Sequence, residues 1–68
     1  MADIRKLLGD KIKKIRQKRK MSQEELAFES GLHRTYISDI ERGTRNVSIR
    51  NIEKIAKALN VSLKEIMP

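Results

Sequence analysis

Between His33 and Ser48 the chain sets out Arg34, Thr35, Tyr36, Ser38, Asp39, Arg42, Arg45 and Asn46, a run of guanidinium forks, hydroxyls and amides. Side chains of this kind recognise by hydrogen bonding. An arginine fork fits the O6 and N7 acceptors of guanine, a threonine meets a thymine methyl or donates a hydrogen bond, and an aspartate accepts from a cytosine amino group. Catalysis has no comparable set of groups. There is no glycine-rich phosphate loop, no nucleophile motif and no cluster of metal ligands, so the chain reads as a non-enzyme without cofactor. His33 has no second histidine, no cysteine and no grouped carboxylates for company, which points to a helix cap or a phosphate contact.

Spacing divides the run into two faces. At about 100° per residue, Ile37, Ile40 and Glu41 fall on one side of a helix, and Thr35, Ser38, Asp39 and Arg42 fall opposite. Arg34 lies on the flank near the start, where a helix entering the major groove meets bases first. It is the leading base reader, the alternative being a surface arginine that makes only phosphate or local contacts. Asp39 either accepts from a base or pairs with Arg42 three residues on. Tyr36 sits between the faces, where its ring can pack at the helix edge with the hydroxyl in water.

The elements that hold these residues are legible from their caps. Ser22 and Glu25 form an S-x-x-E capping box that starts a helix at Gln23, Leu26 and Ala27 supply its inward face, and Gly31 ends it. A second helix runs from about Arg34 to Gly43. Ala27 is small where two steeply crossed helices must approach, and the combination is a helix-turn-helix. Upstream, Ile4, Leu8, Ile12 and Ile15 share one stripe of a helix ending near Arg19, with Gly9 expected to weaken everything before Asp10. Downstream, Thr44 to Val47 forms a loop and Ser48 caps a helix carrying Ile52, Ile55, Ala56 and Leu59, which Asn60 can terminate. Ser62 and Glu65 repeat the capping box before a last short helix with Leu63, Ile66 and Met67. Nothing alternates like a strand. The expected fold is all-α, a compact five-helix bundle forming one domain over residues 1–68.

Free amides and the positive dipole end at Gln23 suit a phosphate, as does the loop and helix start holding Arg45, Asn46 and Ser48. Arg45 has a second option, the negative potential of an adjacent minor groove. These contacts would position the chain without specifying sequence.

The run H-R-T-Y-I-S-D-I-E-R-G-T-R-N, together with Gln23, Ala27, Gly31, Ile37, Ile40 and Glu41, resembles the helix-turn-helix family of phage Cro and repressor proteins, also called Xre-like. Within it the run is especially similar to the small controller proteins of restriction-modification systems. The likeness spans about Ile12 to Ile66 and implies a lambda repressor-like domain. It departs at Lys20, where glycine is common, and at Ser30, where an apolar residue is usual. The resemblance implies that Gln23 holds a phosphate, that Tyr36 reaches the sugar-phosphate backbone, and that Arg16 and Glu41 form a partly buried ion pair. It also implies a dimer surface on the last two helices, at Ile49, Leu63 and Met67. The alternative for these three is that they complete the core.

Bulk composition agrees. Sixteen basic against 9 acidic residues give +7, favouring a polyanionic partner, nucleic acid first and an acidic membrane surface second. A membrane role lacks interfacial anchors, since the aromatics are Phe28 and Tyr36 alone. No apolar run approaches the roughly 20 residues of a membrane span, and the absence of cysteine suits a reducing cytoplasm. The lysines and arginines from Lys11 to Lys20 form either a solvated face or part of the polyanion surface.

A chain this short gains from a partner subunit. One reading helix covers only a half-site, so the leading expectation is a homodimer on a palindromic double-stranded operator, its two reading helices about 34–36 Å apart. The function expected is transcription regulation, of the restriction-modification controller or phage repressor type. An antitoxin-like interaction module that also binds DNA is the alternative, and RNA polymerase is a further candidate partner for an acidic face of Glu24, Glu25 and Glu29, for which solubility is the simpler reading.

Overall fold

A computed structural model describes residues 3–68 and contains five helices: α1 (Ile4–Lys18), α2 (Gln23–Ser30), α3 (Arg34–Arg42), α4 (Ile49–Leu59) and α5 (Leu63–Ile66). There is no strand among the described residues. The all-α, five-helix expectation therefore holds, and α2 and α3 form the helix-turn-helix.

Each boundary has a local cause. Ser22 and Glu25 exchange hydrogen bonds at 3.0 and 2.9 Å, and Ser62 and Glu65 do so at 3.3 and 3.1 Å, closing two capping boxes. Ser48 Oγ accepts from the Asn51 amide at 3.1 Å. Gly31 (φ +73°) and Gly43 (φ +76°) end α2 and α3 in the left-handed region, and Asn60 (φ +58°) ends α4 in the same way.

Gly9 does not break α1. The helix runs unbroken from Ile4, with Asp3 accepting from the Arg5 amide at 2.9 Å as its N-cap. Met1 and Ala2 lie outside the described residues, and from Asp3 on no separate turn precedes Asp10, because Gly9 faces α3 at very short range. A Cβ there would lie 2.2 Å from the Ile40 carbonyl oxygen. The missing side chain lets the two backbones meet, and the resulting packing outweighs the roughly 1 kcal/mol of lost helix propensity.

The core is aliphatic: Leu8, Ile12, Leu26, Ile37, Ile40, Ile52, Ile55, Leu59 and Ile66, with Ala27 and Ala56 where helices come close. α3 is held between α1 and α2, and α2 also packs on α4, so the reading helix is braced from both sides. The α1 stripe is only partly inward. Leu8 and Ile12 are buried and Ile15 packs at the edge, but Ile4 is 65% exposed, on the rim of a surface groove it shares with Val47, Ile49 and Met67.

The two departures from the family pattern resolve simply. Lys20 adopts φ +58°, the left-handed backbone for which glycine is the usual choice. Ser30 is buried, and its hydroxyl donates to the Ala27 carbonyl at 3.2 Å, so no polar group is stranded.

Candidate nucleic-acid interface

α3 turns Ile37, Ile40 and Glu41 into the bundle and leaves Arg34, Thr35 and Arg42 exposed, with Ser38 and Asp39 half-buried beside them. Hydrogen bonds organise this outward face. Arg42 donates to Ser38 Oγ at 3.2 Å and pairs with Asp39 Oδ1. Asp39 Oδ2 also receives Arg45 at 3.4 Å. The amide and hydroxyl of Thr44 both donate to the Asp39 carbonyl, each at 3.1 Å, which ties the loop after α3 to the last turn. Asp39 is thus engaged by arginines, the pairing alternative to base contact. Arg34 Nε stands 3.7 Å from Glu24, but both side chains are largely exposed and such a pair holds weakly.

Tyr36 is more engaged than an edge ring with a wet hydroxyl. Its hydroxyl accepts from Asn51 Nδ2 at 3.0 Å, and the Arg45 guanidinium lies 4.9 Å from its ring centroid. Because the oxygen is accepting, its own proton stays free to donate to a phosphate. Asn51 was not among the residues expected from sequence. Its place three residues after the capping Ser48 is the only signal that it lies near the start of α4, and nothing there points to Tyr36.

Gln23 opens α2, and its side chain is turned toward the bundle, donating from Nε2 to Glu41 Oε1 at 3.1 Å. The second amide proton and the free backbone amides of the first turn remain for an anion. His33 is the N-cap of α3 but makes no side-chain capping hydrogen bond, so the cap expected of its side chain is not formed. An imidazole nitrogen stands farther from its own backbone than the oxygen of Ser or Asp, which reaches back more easily to the following amides. Asn46 and Ser48 are exposed at the start of α4, and Ser48 keeps a donatable proton while its oxygen caps the helix.

Beneath the reading helix lies a polar junction. Arg16 Nε and a terminal nitrogen grip the two oxygens of Glu41 at 2.7 and 3.0 Å, with side-chain exposures of 10% and 3%. The other terminal nitrogen donates to the Met21 carbonyl at 2.7 Å. With Gln23 on the same carboxylate, this junction joins α1, α2, α3 and the turn between α1 and α2. No buried side-chain polar atom is left without a partner among the described residues.

The remaining apolar surface gathers elsewhere. Ile4, Val47, Ile49 and Met67 line a shallow groove across the starts of α1 and α4 and the end of α5. Ile49 is 67% exposed, and Met67 and Leu63 are just over one-third exposed, so none of the three completes the core. Leu63 is not part of that groove.

The architecture and the polar outward face of α3 define the class: a helix-turn-helix domain of the kind that seats its second motif helix in the major groove. The comparisons agree. The helix-turn-helix family model matches residues 12–66, and the chain belongs to that family. The control protein C.BamHI of Bacillus amyloliquefaciens is 65% identical over 66 residues, covering 96% of this chain and 82% of the relative. The solved restriction-modification controller C.AhdI from Aeromonas hydrophila superposes with a TM-score of 0.91 at 43% identity, over 93% of this chain and 96% of its own. The controller C.Esp1396I, solved as a tetramer on its natural 35 base-pair operator, gives 0.85 at 43% identity over 97% of both chains.

No helix among the described residues is long and apolar enough to cross a membrane, and no group of His, Cys, Asp and Glu there is arranged to hold a metal.

Proposed function

We propose that this chain is a cytoplasmic transcription regulator of the restriction-modification controller type, acting as a single domain that binds a palindromic DNA operator as a homodimer. The observation that carries the reading is α3 itself. A buried apolar and ionic face fixes its roll, while Arg34, Thr35, Ser38 and Arg42 are left on the side open to solvent.

Arg34 reads a guanine and Thr35 a neighbouring base. Gln23, His33, Tyr36, Asn46 and Ser48 donate to phosphates on either side, from the starts of α2, α3 and α4. Arg45 reaches the backbone or the adjacent minor groove. The second subunit packs over Ile49 and Met67, joined by Ile4 and Val47 of the same groove, and over the exposed Leu63 of α5. Net charge of +7 speeds the encounter with DNA of any sequence.

Selection of bound duplexes from a random pool tests this directly. The expected product is a two-fold symmetric site whose sedimenting complex holds two chains or a multiple of two. Arg34→Ala relaxes the preference at one guanine per half-site, whereas Arg45→Ala weakens binding without changing which bases are preferred and lowers the salt dependence. An unsymmetrical consensus bound at full affinity by one chain would refute the dimer, and no consensus at all would refute the regulator.

A further inference from the structure

Asp39 is an acid on the surface where a DNA-binding helix meets a polyanion, and an uncompensated carboxylate there would repel phosphates. The structure shows it compensated on both oxygens. Arg42 of the same helix holds Oδ1, and Arg45 of the following loop holds Oδ2 at 3.4 Å. The Asp39 side chain is only 20% exposed, while the two arginines stay 62% and 49% exposed. The Arg45 plane is also fixed against Tyr36, and Thr44 ties the loop to the Asp39 carbonyl twice. One carboxylate therefore sets the direction of two exposed guanidinium groups that do not otherwise share an element.

Resting on the regulator reading above, we propose that Asp39 is a positioning and specificity-determining residue: it stands in for a phosphate between Arg42 and Arg45 in the free protein. DNA of arbitrary sequence, held by charge alone, must compete with this internal counter-ion for both arginines. Binding to such DNA is weakened. On the cognate site the same carboxylate holds the arginines in the directions that the docked helix requires, so its ordering effect offsets the competition. Asp39 widens the gap between right and wrong sequences without touching a base.

The test compares a mixed-sequence duplex with a duplex recovered by selection, each titrated across salt concentrations. Freeing the arginines adds about one phosphate contact per subunit. At 0.1 M salt this raises mixed-sequence affinity about tenfold per subunit and steepens the salt slope by about 0.9. Asp39→Asn is expected to give that gain on the mixed duplex and a much smaller one on the selected duplex, narrowing the ratio between them. Glu29→Gln removes an exposed acid on α2 and serves as the measure of a general charge effect, small and equal on both duplexes. In an Arg42→Ala, Arg45→Ala background, Asp39→Asn should relieve only direct repulsion of phosphates, raising both duplexes equally and leaving the ratio between them unchanged.

Equal gains on the two duplexes, or a narrowing of their ratio that persists after loss of both arginines, would overturn the proposal. Relaxed preference at a single base pair with mixed-sequence binding unchanged would make Asp39 a base reader and overturn it equally. If the unaltered chain bound neither duplex, the regulator reading itself would fall and this role with it; the other results strike Asp39 alone.

Discussion

Truncating either partner of the Arg16–Glu41 junction should nearly unfold the domain, and removing both charges together should largely restore it. Glu41 accepts three hydrogen bonds, two from Arg16 and one from Gln23, with 3% of its side chain exposed. Arg16→Met leaves that carboxylate with the glutamine alone, in a site too closed for water to replace two charged donors. Breaking a buried pair in this way costs about 3–5 kcal/mol. A domain of this size has a total stability of roughly 3–10 kcal/mol, from about 0.05–0.15 kcal/mol per residue, so much of it would go. Glu41→Leu should lie toward the lower end, because the long Arg16 side chain, 10% exposed and still bonded to the Met21 carbonyl, can swing its head toward solvent. The double variant strands no charge and should recover most of either loss. Urea denaturation followed by far-ultraviolet circular dichroism gives the four free energies of the cycle. Single effects within about 0.5 kcal/mol that simply add would show that the junction contributes as two independent charges, and the reasoning would fail.

Three further outcomes follow from particular contacts. Gly9→Ala forces a methyl to within 2.2 Å of the Ile40 carbonyl and must push α1 away from α3, so stability measured by denaturation should fall by several kcal/mol despite the better helix propensity. Lys20→Gly should raise stability by up to about 1 kcal/mol in the same assay, because the left-handed backbone at φ +58° strains a residue with a Cβ; a loss of stability would contradict this. Ile49→Lys places a charge among the residues lining the exposed groove and should shift sedimentation toward monomer while the helical circular-dichroism spectrum is retained; an unchanged dimer would move the interface elsewhere.

The local rules of the sequence acted almost without interference here. Capping boxes at Ser22 and Ser62, the Ser48 cap, and the turns at Gly31, Gly43 and Asn60 all depend on atoms within a few residues, and they appear where the spacing placed them. The roll of α3 was equally legible, because Ile37 and Ile40 have only one way to leave water together. Resemblance to a family added what spacing lacked, above all the pairing of Arg16 with a residue 25 positions away.

Tertiary structure decided the rest, wherever one residue's role is set by a distant backbone. Gly9 reads as a weak point in α1 until the Ile40 carbonyl is found against it. Ile4 continues an apolar stripe in sequence but stands on the rim of a surface groove with Ile49 and Met67, so it belongs to the surface. Gln23 has the address of a phosphate ligand, yet its amide already serves Glu41. Tyr36 meets Asn51 because the start of α4 is brought to it, and Arg45 because the loop after α3 folds back over its ring. Helix positions and faces follow from bonds along the chain, so the sequence alone specifies them. Whether a polar group on such a face is free, paired or shared depends on which helix crosses it and at what distance, and only packing sets that.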